Sequence, residues 1–170
     1  MKILKLFIFL AFCTVGTDFV HGQEISNHAI GLRLGESDGY GAEISYQKSI
    51  GRYNRLEIDL GWRDSREYDA FKVAVLYHWV RPIDGGLQWY YGFGGGLGDA
   101  NFELTLRDNE AFQPDGGFFV FAAGTVGIEY SFDFPLLLSL DLRPELGLIG
   151  YGDFDNNLDF DIGLGVRYQF

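Results

Sequence analysis

The sequence is short of cysteine, proline and basic residues, and each shortage excludes something. One cysteine, Cys13, in 170 residues leaves no partner for a disulfide within the chain. Four prolines leave long stretches free to form uninterrupted strands. Thirteen Lys and Arg against 24 Asp and Glu give a net charge of −11. Nucleic-acid binding is thereby disfavoured, because phosphate contacts require the opposite sign. Beyond the amino terminus, no segment approaches the roughly 18 consecutive apolar residues of a transmembrane helix. A strand that crosses lipid escapes that test, because every second residue is polar.

The amino terminus reads as a secretory signal. Lys2 and Lys5 precede an apolar core from Leu6 to Val15, and Val20-His21-Gly22 suits cleavage before Gln23. Phe12 stands before Cys13 where lipidation requires a small residue. The expected organisation is a signal peptide over 1–22 and one domain over 23–170. Removing Lys2, Lys5 and Asp18 leaves 11 basic and 23 acidic residues, net −12. The 24 glycines and 17% aromatics suit a β-rich fold.

Alternation with period two, the mark of a strand, recurs in eight segments. They run over about 29–35, 40–48, 55–63, 71–80, 87–98, 118–133, 136–148 and 158–170. The last is the clearest: Leu158, Phe160, Ile162, Leu164, Val166, Tyr168 and Phe170 share one face, and Asp159, Asp161, Gly163, Gly165, Arg167 and Gln169 the other. Phe118 to Phe121 is apolar on both faces and has no readable phase. Pro144 removes a backbone donor inside the seventh segment, which predicts a bulge or local break.

The eight segments predict an all-β fold, an eight-stranded antiparallel up-and-down transmembrane β-barrel. Compact connections after segments two, four and six, and longer acidic ones after three, five and seven, place both termini in the periplasm. Interfacial aromatics fit this arrangement. Tyr77, Trp79, Trp89, Tyr130 and Tyr168 fall at one set of strand ends and Trp62 at the other, as two girdles.

Alternation alone does not say which face is inside. The polar face carries Arg33, Arg55, Arg63, Lys72, Arg143 and Arg167 against Glu43, Glu57, Asp59, Glu129, Asp141, Glu145, Asp159 and Asp161. Near-balanced charge suits a confined lumen where opposite signs pair. Glycines on that face (Gly92, Gly94, Gly96, Gly98, Gly163, Gly165) leave room for long side chains. The apolar face is therefore expected to meet lipid. A soluble periplasmic lipocalin-like barrel, binding a small apolar ligand, is the alternative.

The mature chain resembles the small bacterial outer-membrane β-barrel family, eight-stranded proteins like outer-membrane proteins X and A and the opacity-like adhesins. The resemblance rests on 127–135 (GIEYSFDFP), 139–144 (SLDLRP) and the closing 163–170 (GLGVRYQF). It implies residence in the cell outer membrane of a Gram-negative bacterium, with Phe170 as an assembly signal. It also implies lipid, lipopolysaccharide, periplasmic chaperones and the barrel-insertion machinery as partners. The implied role is structural or interactive.

An eight-stranded barrel has a lumen just wide enough for side chains to fill. Arg33, Glu43, Glu57, Asp59, Lys72, Glu129, Asp141, Arg143, Glu145, Asp161 and Arg167 are therefore expected to plug it as a charge network. A narrow ion channel along Glu57, Asp59, Asp141, Arg143 and Glu145 is a weaker reading. A lipid A-modifying enzyme would need a Ser/His pair at the outer rim. His28 and His78 lie toward the other end, with no paired serine, so no catalysis is expected. Residues 153–159 resemble a calcium loop only weakly, since Leu158 stands where glycine belongs and no glutamate follows. No cofactor or metal is expected. The 99–117 loop, where Phe102, Leu104 and Leu106 alternate with polar residues, is the expected place for a surface ligand.

Overall fold

In a computed structural model, the described residues are 25–35, 41–64, 68–102, 105–107, 110–112, 116–150 and 157–170. They form ten strands: β1 (His28–Gly35), β2 (Ala42–Gly51), β3 (Asn54–Asp64), β4 (Tyr68–Asp84), β5 (Leu87–Phe102), β6 (Thr105–Arg107), β7 (Glu110–Phe112), β8 (Gly117–Ser131), β9 (Leu136–Ile149) and β10 (Leu158–Gln169). Eight of them close a barrel in the order β1-β10-β9-β8-β5-β4-β3-β2, each strand antiparallel to both neighbours. Closure satisfies every strand edge, which is what allows a sheet to stand in hydrocarbon.

The seam is the β1–β10 pair, with Ile30 opposite Tyr168 and Leu34 opposite Leu164. At the end where β1 begins and β10 stops, the backbones of His28 and Phe170 exchange hydrogen bonds of 3.1 and 2.9 Å. Tight turns join strands at this end. Gly51 pairs with Asn54 across one, and Asp84 with Leu87 across another. In the second, Gly85 has φ +53°, a conformation that glycine adopts without cost.

The strands outrun their sequence-read boundaries. β4 and β5 have 17 and 16 residues, more than the 9–11 or so needed to cross hydrocarbon at a tilt. Strand β5 continues through Asp99 to Phe102, where a loop was expected to begin. The segment beyond carries a small hairpin, β6 paired with β7. Pro144 breaks neither strand nor register. It pairs with Phe160 on one side. On the other side the ladder runs from Ala123–Glu145 to Val126–Leu142 with a gap at residues 124 and 125. The register shift in this pair lies further along, between Val120 and Phe121.

Polarity is inverted relative to a soluble barrel. Among the described residues the buried set contains eighteen polar or charged side chains and eleven apolar ones. Outside, Ile30, Leu32, Ile58, Leu60, Leu140, Ile162 and Leu164 are exposed, Ile162 by 62%. The ambiguous stretch 118–121 is settled by packing: Phe119 and Phe121 point inward, and Phe118 outward. Both inward rings lie over glycines on the adjacent strand, since Phe119 pairs with Gly98 and Phe121 with Gly96. With Ala74, Leu76 and Ala123 they form an apolar patch inside the barrel.

Candidate functional site: the charged barrel interior

Alternation sends one residue in two inward, and the register decides which charges meet. Arg33 on β1 faces Glu43 on β2 directly across the ladder, and its Nη1 lies 3.3 Å from Glu43 Oε2. The same guanidinium reaches Asp161, and donates to Asp141 Oδ1 from Nε at 3.0 Å and Nη2 at 2.5 Å. Gly163 makes this possible, since a Cβ there would collide with the Arg33 guanidinium.

Arg143 on β9 spans the barrel to the opposite wall. It donates to Glu43 Oε2 at 3.2 Å and to Asp59, and stands 3.6 Å from Glu57 Oε1. Arg167 on β10 donates to Ser45 Oγ at 2.9 Å, Ser139 Oγ at 2.8 Å and Glu57 Oε1 at 3.2 Å. Gln47 also donates to Glu57. Arg33, Arg143 and Arg167 are at most 1% exposed, so their charges are met by neighbouring side chains.

Two further pairs flank this centre. Nearer the termini, Arg55 grips Glu129 with two parallel bonds of 2.8 and 2.7 Å, the bidentate geometry that favours arginine over lysine. Arg55 also donates from Nε to His78 Nδ1 at 3.2 Å and lies 4.7 Å above the Tyr90 ring. Because His78 Nδ1 accepts that bond, the geometry assigns the ring proton to Nε2. Toward the other end, Lys72 donates to Glu145 at 2.6 Å and stands 4.8 Å from the Phe121 ring centre.

All eleven residues expected in the charge network point inward, and Arg55 joins them. The side chain of Arg63 lies outside the described set. Tyr90 and His78 were not foreseen as members. Tyr90 donates to Asp141 Oδ2 at 3.2 Å, and its ring lies 4.9 Å from that of His78. The one available signal was phase, which put both on the polar face.

The exterior carries an aromatic cluster toward the termini. Trp79 packs on Tyr77, Tyr91 and Phe93 at centroid distances of 4.8 to 5.6 Å, and Trp89 stacks on Tyr91. Tyr130 meets Phe132, and Tyr168 meets Phe170. His28 stacks on Phe170 at 5.4 Å, and its Nδ1 lies 2.7 Å from the Tyr46 hydroxyl. Trp62 is exposed toward the opposite end.

Apolar outside, charged inside and closed on itself, the chain is a small transmembrane β-barrel. Comparison with solved structures agrees on the fold. Over 87% of this chain and all of the other, it is similar to the N-terminal β-barrel domain of Pseudomonas aeruginosa OprF, with TM-score 0.62 and 16% identity. It is also similar to Neisserial surface protein A, with TM-score 0.55 and 13% identity over 84% of this chain and 94% of that one. A third is Ail, the attachment invasion locus protein of Yersinia pestis, with TM-score 0.52 and 16% identity over 88% and 100%. No protein-family model and no curated protein matches the sequence. At these identities the likeness establishes the fold, that of the small eight-stranded outer-membrane barrels.

Proposed function

We propose that the protein is an integral outer-membrane barrel with a structural or surface-interaction role, its lumen closed by its own charges and without catalytic activity. The observation that carries this is the inverted polarity: a wall of exposed aliphatic side chains around a buried salt-bridge network. Only hydrocarbon outside makes such a surface stable. A lipocalin-like barrel would need an apolar lumen, and here the interior is lined by Arg33, Arg143, Arg167 and their carboxylates.

The tight turns and both chain ends then face the periplasm, with the aromatic cluster at that interface. The longer connections, including the β6–β7 hairpin, face outward and offer the site for a surface ligand. The names of two similar proteins, a surface protein and an attachment locus product, favour that reading. Lipid, lipopolysaccharide, periplasmic chaperones and the barrel-insertion machinery are the partners this location requires. The two described histidines are engaged elsewhere, His78 with Arg55 and Tyr90, His28 with Tyr46 and Phe170.

Fractionation tests the proposal. The protein should remain with outer membranes after carbonate washing, change gel mobility on boiling, and leave a planar bilayer electrically silent. Recovery in the soluble periplasm would overturn the location, and steady conductance would overturn the closed lumen.

A further inference from the structure

Among the described side chains the lumen contains more acid than base. Arg55 pairs with Glu129, and Lys72 with Glu145. Between them, the three guanidiniums of Arg33, Arg143 and Arg167 face five carboxyls: Glu43, Glu57, Asp59, Asp141 and Asp161. An uncompensated negative charge in a dry interior would be very costly, and the usual remedy is to take up a proton.

The contacts of Glu43, Glu57, Asp141 and Asp59 differ. Glu43 lies against two guanidiniums, those of Arg33 and Arg143. Glu57 has Arg143, Arg167 and the amide of Gln47. Asp141 takes two bonds from Arg33 and one from Tyr90. Asp59 has Arg143 alone, and Arg143 also serves Glu43 and Glu57. Its Oδ2 accepts from Arg143, while its Oδ1 is buried without a hydrogen-bond partner. The side chain is 0% exposed. The groups across the ladders from it are uncharged, Ser45 on β2 and Ala74 on β4. Glu57 sits two residues away on the same face of β3. An unpartnered hydroxyl in such a place costs far less than an unpartnered charged oxygen.

We propose that the Asp59 carboxyl is a proton-binding site, held as the neutral acid with its proton on Oδ1 when the barrel is folded at neutral pH. One negative charge is removed from the cluster without any added ion. Folding at that pH therefore takes up a proton, because the unfolded chain exposes an ordinary, ionised aspartate. Stability therefore falls as pH rises from the ordinary aspartate range to the folded-state titration of Asp59, because over that window the folded barrel holds a proton that the unfolded chain has lost, and it levels off once folded Asp59 ionises.

Infrared difference spectroscopy on the full barrel folded into lipid vesicles tests this. The wild type at neutral pH should show a protonated-carboxyl carbonyl stretch that disappears in Asp59→Asn, and the fall in urea resistance with rising pH across neutrality should flatten in that variant. Asp141→Asn, which removes a fully bonded carboxylate, should keep the band. Absence of the band in the wild type overturns the proposal without need of any variant. A band that survives in folded Asp59→Asn overturns the assignment to Asp59. Should Asp59→Asn not fold, the wild type decides: urea resistance should fall with pH while the band is present and level off as alkaline titration removes it, and a resistance that is flat while the band is present overturns the proposal.

Discussion

The ring of Tyr90 on β5 occupies the space that a side chain on Gly127 would need on the neighbouring strand. The two residues are register partners, and a Cβ on Gly127 would stand 2.6 Å from Tyr90 Cζ. Placing a ring over a bare backbone lets a narrow barrel hold Tyr90 between His78, Arg55 and Asp141. Gly127→Val is therefore expected to destabilise the barrel by roughly 1–3 kcal/mol through overpacking. Urea unfolding in vesicles measures the loss. Adding Tyr90→Ala should make the double variant less unstable than the two single losses predict.

The Arg55–Glu129 pair predicts a pattern of non-additivity. Arg55→Met leaves Glu129 buried and unpaired, at a cost of about 3–5 kcal/mol. Arg55→Met with Glu129→Leu removes both charges and should recover most of that loss. A double-mutant cycle at neutral pH checks it, and purely additive effects would show that the pair is not coupled in lipid.

Depth along the outer face predicts a graded response to charge. Ile162 lies mid-strand on β10 and is exposed to the surroundings. Ile162→Arg is expected to cost about 2–4 kcal/mol, and Trp62→Arg at the rim roughly 0–1 kcal/mol. Equal costs at the two positions would contradict a membrane slab centred on the barrel.

At the seam, His28 stacks on Phe170 and meets Tyr46, so three strands are clasped at one end. His28→Ala should lower stability by about 0.5–1.5 kcal/mol, the worth of an aromatic pair. Deleting Phe170 removes the backbone exchange as well and should impair assembly more strongly. The boiling-dependent gel shift, followed over the time of folding into vesicles, separates the two variants.

Much of this architecture is legible in period-two alternation. The phase that sets Asp159, Asp161 and Arg167 against Ile162, Leu164 and Val166 also determines which face each enters. Where both phases were apolar, at Phe118 to Phe121, the strand could not be oriented. The answer lay in Gly96 and Gly98 on another strand. At Pro144 the expected local break is present but one-sided. A missing donor interrupts only the ladder on the side to which that donor would have pointed, and β10 holds the strand in line from the other side.

By itself the sequence determined the fold class, the eight barrel strands and the sidedness of nearly every residue, because side-chain direction in a strand is a local property with a period of two. The tertiary structure alone decided who meets whom inside. Arg143 and Asp59 are 84 residues apart, and Arg55 and Glu129 are 74 apart. Their meeting depends on barrel closure and strand stagger, which no single segment encodes. The charge excess around Asp59 became visible only when those partners were assigned, since composition counts charges and only register distributes them.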